Sequence, residues 1–309
     1  VAGTYRSGHE LENKAPAGTP QDPQDWDSSD YMFRYTYDTE TGNRLRLTAN
    51  RSEREAQTRM NSQLGYGPRF RWTTALAGDD SDDSEQLALD FEFTAGDWEQ
   101  GLLRFYDTRA DTDQLTLEER ARAPSPVEIR RRFFYSQEIQ GFEAQAFRPF
   151  DWGASMHRLG LGGEWNRSEI EELRDGLQTS LVDGSSTNVI LGEEMPVRDF
   201  PISKTDRLGL WIQDEISLAD GRLELIPALR WDRYDLDPKP DSIWLEDTPN
   251  TAVVSVSEDQ VTPRLGLVYH PGKHWSFYGQ YSEGFRAPPF EDANIGFEIP
   301  LFGFRAIPN

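Results

Sequence analysis

Apolar residues recur at every second position through most of this chain. Leu87, Leu89, Phe91 and Phe93 alternate with Ala88, Asp90, Glu92 and Thr94, and Tyr31, Phe33, Tyr35 and Tyr37 alternate with Met32, Arg34, Thr36 and Asp38. The same spacing carries Leu45 and Leu47, Leu159 and Leu161, Leu208 and Leu210, Leu265 and Leu267, and Trp275 and Phe277. A strand sends such residues to one face, whereas a helix would scatter them around its axis. The pattern therefore specifies an all-β chain with one apolar face, and its other face carries charges, Gly, Gln and Ser.

About eleven strands are expected, near 1–13, 28–38, 42–57, 85–95, 98–109, 129–147, 157–174, 205–217, 222–235, 260–270 and 274–286. The connections alternate short and long. TETG at 39–42, AGD at 95–97, FDWGASM at 150–156, LADG at 218–221 and PGKH at 271–274 are the short ones. Long ones near 14–27, 58–84, 110–128, 175–204 and 236–259 hold most of the Asp, Pro, Ser and Asn, including GDDSDDSE at 78–85, and LEERARA at 117–123 could form a helical turn. Such parity is what an antiparallel up-and-down transmembrane β-barrel gives when one rim is tight and the other projects large loops. Trp98, Trp152, Tyr269 and Trp275 beside the short turns would form an aromatic girdle. No second domain and no linker are apparent, so 1–309 reads as one unit.

A mean hydropathy of -0.72 fits a barrel as well as a soluble protein, because only alternate side chains of a spanning strand meet lipid. No run of about 18 apolar residues marks a membrane helix, and Val1 does not open a signal peptide. Nine Trp argue against disorder, and with no cysteine the fold cannot depend on disulfides. The net charge of -22 argues against nucleic acid, whose phosphates would be repelled; basic partners, metal ions or a polyanion-tolerant surface fit better.

Chemistry-bearing patterns are sparse. His157, His270 and His274 fall at or beside short turns, while His9 lies toward the outer end of the first strand and could face a binding vestibule. No serine, histidine and carboxylate are marked as a nucleophile set, which argues against an enzyme. GDDSDDSE lacks the ordered spacing of a calcium loop and reads as a solvated acidic segment. Arg44, Arg46, Asp90, Glu92, Arg104, Glu143, Glu164, Arg230 and Asp232 fall on the polar face, where they are expected to pair. In WSFYGQYS, Trp275, Phe277 and Tyr281 would face lipid while Ser276, Gln280 and Ser282 face the lumen. Pro288 and Pro289 then take the chain off the ladder, leaving Arg286 at the outer rim in an ion pair or a ligand contact.

The run YGQYSEGFRAPPFEDANIGFEIPLFGFRAIPN at 278–309 resembles the FRAP-to-NPNL segment of TonB-dependent outer-membrane receptors, most closely the haemoglobin/haem (haemoglobin–transferrin–lactoferrin) type. YRSGHELEN at 5–13, DWDSSDYMFRYTY at 25–37, RLGLWIQDEISL at 207–218 and LELIPALRWDRYDLD at 223–237 also match. The resemblance implies about 11 of an expected 22 barrel strands, a middle portion of the barrel without the plug domain and its TonB box. It implies a Gram-negative outer-membrane location in contact with outer-membrane lipid. It further implies energised import of haem, a haem protein or a siderophore, with the TonB complex as partner and no cofactor of its own; a passive porin-like channel stays open as an alternative. Ligand contacts are expected at Phe285, Arg286, Ala287, Pro288, Pro308, Asn309 and His9. Residues 290–307 contain no His, Tyr, Cys or Met, a departure from haem-type members, which ligate iron with a histidine there.

Overall fold

The computed structural model describes residues 1–10, 18–122, 125–249, 251–299 and 303–305. Each long strand pairs antiparallel with the strands before and after it along the chain. In order they are β1 (Ala2–His9), β2 (Gln24–Asp38), β3 (Arg44–Arg59), β4 (Thr73–Ala95), β5 (Trp98–Arg120), β6 (Val127–Trp152) and β7 (Ser155–Ser180). The short β8 (Ser186–Thr187), β9 (Val189–Ile190) and β10 (Glu193–Glu194) lie in the connection that follows. Then come β11 (Ile202–Leu218), β12 (Leu223–Lys239), β13 (Val256–Gly272) and β14 (Trp275–Ser282), with β15 (Glu298–Ile299) and β16 (Phe304–Arg305) paired separately. Three one- to two-turn helices, α1 (Gly67–Phe70), α2 (Ser242–Asp247) and α3 (Phe290–Asn294), sit between or after strands. The eleven long strands form the expected meander.

The register joins the alternating apolar residues into unbroken rows. Tyr37, Leu45, Phe91, Leu103, Ala144, Gly163, Leu210, Trp231 and Val261 are successive cross-strand partners over nine strands. One row outward run Tyr35, Leu47, Leu89, Phe105, Phe142, Trp165 and Leu208. Because residues directly opposite share a face, one register fixes the whole band. Trp152, Tyr269 and Trp275 stand exposed at its short-turn edge, and Trp98 joins Phe93, Leu103 and Phe142 in an apolar groove there.

The other face holds the expected charges in pairs. Arg46 lies 3.1 Å from Glu92 and 3.6 Å from Asp90, and Arg104 bridges Asp90 at 2.7 Å and Glu143 at 3.4 Å. Arg44 contacts Asp38 at 2.6 Å and Glu92 at 3.8 Å. Arg230 on β12 holds Asp232 and reaches across β11 to Glu164 on β7. Gly209 makes that crossing possible, since a Cβ there would lie 2.2 Å from an Arg230 amino nitrogen.

Three expectations need correction. The strands run well past the band: β6 and β7 have 26 residues each, about 86 Å, where about ten residues cross a bilayer. Segments 73–84 and 110–120, read as loops, are the outer halves of β4 and β5. GDDSDDSE is therefore strand, and Leu117–Arg120 of LEERARA closes β5 rather than turning into a helix. These outer halves are mostly polar on both faces, so no long hydrophobic period marks them, and pairing with a neighbour of known register holds them. The outer connections fold back on the polar face. Val127, Ile129, Ile190, Met195 and Val197 form a buried cluster between β6 and the loop after β7.

Candidate functional site

β14 stops at Ser282, and the FRAP-like segment turns across the polar face instead of continuing the ladder. Phe285, Ala287 and Phe290 pack against Tyr234, Leu236 and Ala293, with Val256 alongside. The ring of Phe290 meets Phe200 edge-on at 4.9 Å. Asn294 fixes the next turn twice: its Oδ1 accepts the Val254 N–H at 2.7 Å, and its Nδ2 donates to the Val254 carbonyl at 2.9 Å. The Gly296 N–H donates to the Asp199 carbonyl at 2.7 Å, and the Arg174 guanidinium lies 4.9 Å over the Phe297 ring. Residues 283–297 thus form a strap docked on β7, β11, β12 and their outer loops.

Beneath the strap lies a cavity of about 590 Å³. Phe285, Arg286, Ala287 and Glu283 line its strap side, and Glu164, Arg207, Arg230, Asp232 and Tyr234 its wall. Arg230 is committed to Glu164 and Asp232, whereas Arg207 lies over the Tyr234 ring at 5.6 Å. Among the described residues neither Arg207 nor Arg286 has a carboxylate within ion-pairing distance. Two guanidiniums facing one cavity have the chemistry to hold an anionic group, since each offers a planar fork of donors.

The strap's far end rests over a buried charge cluster beyond the apolar band. Glu172 lies seven residues past Trp165, about 23 Å along β7. Its side chain is 1% exposed; Oε2 accepts the Asp199 N–H at 2.8 Å, and Oε1 has no partner among the described residues. Burial and, secondarily, the Asp199 carboxylate push its pKa up to about 8. Burial also raises Asp199, against the pull of Arg174. Arg174 binds Glu193 at 3.0 Å and Asp199 at 2.6 Å, and Arg198 binds Asp241 at 2.9 Å.

Of the residues expected to contact ligand, Phe285, Arg286 and Ala287 line the cavity, and Pro288 is exposed between them and Pro289, which also lines it. Pro308 and Asn309 lie outside the described residues. His9 of β1 pairs with Asp25 of β2, on the face of Tyr5 and Phe33, and its Nδ1 is 3.0 Å from the Glu10 carbonyl; it is not brought to the cavity. Arg207 was missed, though its place between Thr205 and Gly209 on the polar face of β11 was legible from alternation.

One grouping was not apparent in the sequence. Ser155 Oγ lies 2.8 Å from His157 Nε2, and His157 Nδ1 lies 2.7 Å from Asp214 Oδ2. His157 is buried and stacked on Phe150 at 4.9 Å, not exposed in a turn. Ser155 Oγ also lies 2.7 Å from the Trp152 carbonyl, to which its hydroxyl can donate. The grouping ties the β6–β7 hairpin to β11. Among the described residues no set of three His, Cys, Asp or Glu is placed to hold a metal ion.

A family model described as TonB dependent receptor-like, beta-barrel, matches residues 10–309. No curated protein matches the chain. Among solved structures, the fold is similar to a double mutant of the Serratia marcescens hemophore receptor HasR in complex with its hemophore HasA and heme, at 17% identity and a TM-score of 0.62 over 99% of this chain and 43% of that one. The copper transporter OprC aligns at 17% identity and a TM-score of 0.60, over 94% of this chain and 42% of that one. BauA, the ferric preacinetobactin receptor from Acinetobacter baumannii, aligns at 11% identity and a TM-score of 0.52, over 90% and 41%. The chain spans less than half the length of each of these structures.

Proposed function

The chain belongs to the TonB-dependent receptor-like β-barrel family, and from that premise we propose that it forms the ligand-facing wall of a Gram-negative outer-membrane receptor that imports an iron-bearing anionic chelate, energised by TonB. The apolar rows are then the lipid-facing band and the polar face is the lumen. The observation that carries the reading is the inward strap, which sets Arg286 over a cavity of about 590 Å³ opposite Arg207. A cavity of this size accommodates a small-molecule ligand. Proteins of the same fold include a ferric preacinetobactin receptor, a hemophore receptor in complex with heme and a copper transporter, which supports a metal-bearing cargo.

A ferric siderophore fits the lining best, because it brings all its iron ligands and needs only an anion-binding wall. Haem or a haem protein is the second reading, favoured by the resemblance of residues 278–309 to haem-type receptors. Haem iron would require an axial donor, and among the described residues lining the cavity Tyr234 is the side chain of that type. Uptake involves binding and passage without covalent chemistry, and a passive porin-like channel would need no energy source. Growth of the host with and without the intact gene, on ferric siderophores, haem or haemoglobin as sole iron source, tests the proposal. Loss of growth on a siderophore is expected; growth unchanged on all three would overturn it.

A further inference from the structure

The negative charge of the chain is not spread evenly. At the outer end of the β4–β5 hairpin, segments 67–73 and 118–132 carry seven arginines against three glutamates, a local charge of +4 in a chain of -22. Glu118, fully buried, serves three of them: Arg120 at 2.7 Å, Arg131 at 2.9 Å and Arg69 at 3.4 Å, with Thr73 donating a further bond at 2.7 Å. The Arg131 Nη1 sheltered there has no partner among the described residues. Above this cluster, the Ala121 N–H donates to the Trp72 carbonyl at 2.9 Å and joins the two segments. Arg71 and Arg122 then lie over the indole of Trp72 at 5.1 and 5.5 Å. Both are exposed and have no carboxylate partner among the described residues, Trp72 is 44% exposed, and nearby Tyr66 is 73% exposed.

Arg44, Arg46, Arg104, Arg158, Arg174 and Arg230 on the polar face are each held by acids, whereas at this tip Arg71 and Arg122 flank an exposed indole and leave a cationic and aromatic surface open. Arg120 stands fifteen residues beyond Phe105 of the band, about 50 Å along the strand, out of reach of lipid headgroups. Exposed Trp, Tyr and Arg together are the residue types that dominate protein-binding hot spots. Arginines stacked on an indole keep their donor forks free for carboxylates. We propose that this tip docks the acidic face of an extracellular protein partner, with Trp72 as the apolar anchor and Arg71 and Arg122 receiving carboxylates. The inference rests on the membrane orientation proposed above and not on the imported ligand.

The test uses the intact outer-membrane protein in detergent micelles, so it is independent of uptake. A labelled random Glu/Tyr copolymer serves as the acidic-protein probe and polygalacturonate as the acidic polysaccharide. The copolymer is expected to bind saturably. R71Q/R122Q and W72A should each weaken it about tenfold or more, while R132Q, whose residue is already paired with Asp113, leaves it within about twofold. Unheated electrophoretic mobility confirms that each variant retains the fold. Copolymer binding unchanged in R71Q/R122Q would overturn the proposal. Equal binding of polygalacturonate, with W72A without effect on either probe, would overturn the protein partner in favour of a bare polyanion field.

Discussion

Glu172 lies under the outer loop that precedes β11, with Arg198 donating to its backbone carbonyl and Asp199 to its carboxylate. Its ordinary pKa of 4.5 becomes about 8 in the folded protein, through burial first and Asp199 second. The folded state therefore holds an extra proton between those values. That contribution to stability is complete below about pH 4.5 and is lost as pH rises through about 8. Hydrogen-exchange protection over residues 186–199, taken relative to the intrinsic exchange rate at each pH, should fall from about pH 6 to about pH 9 in the wild type and stay constant in E172Q, which mimics the protonated acid. Identical profiles would refute this assignment. Nothing in EIEELRDG signals the burial: alternation puts Ile170, Glu172 and Arg174 on the polar face, where solvent would keep an acid ionised. The loop that covers them comes from a segment with no period. Arg286 was legible as a rim residue, but its partner across the cavity depends on how the strap folds.

Gly209 shows how one residue links two strands across a third. Val at this position would drive a side chain into the Arg230 guanidinium and break its reach to Glu164. G209V should destabilise the intact protein by about 1–3 kcal/mol, read as a lower unfolding midpoint, whereas a strand-face glycine with open space around it, Gly279, should tolerate the change. An unchanged midpoint in G209V would contradict the role given to the crossing. The band-crossing part of each strand was legible because lipid-facing positions must be apolar, and all eleven long strands were found from it. The outer halves of β4 and β5 were not, because Asp79, Asp80, Asp82 and Asp83 read as loop by composition while pairing with Gln57, Ala56, Arg54 and Glu53 keeps them in strand. The short turns were legible for a related reason: with both flanking strands fixed by the band, little chain is left between them.

Across the whole molecule, the two faces should respond oppositely to charge. L210R places a cation in the middle of the apolar rows and should cost about 2–4 kcal/mol in reversible unfolding from lipid. Q213R, on the lumenal face beside Glu215, should be close to neutral. Equal effects would contradict the membrane orientation. Overall charge suggested basic partners, yet the fold gathers seven arginines at the outer end of β4 and β5 within a chain of net charge -22, a local excess that composition cannot show. The central claim, that the strap and wall form the intake site of an energised iron receptor, is tested most directly by radioiron accumulation from a ferric siderophore. Cells carrying the intact receptor or its R207Q/R286Q form are compared with and without a proton-gradient uncoupler. The account predicts accumulation by the wild type that stops on uncoupling and falls at least about tenfold in the double variant at limiting ligand. Accumulation indifferent to the uncoupler, or to loss of both arginines, would contradict it.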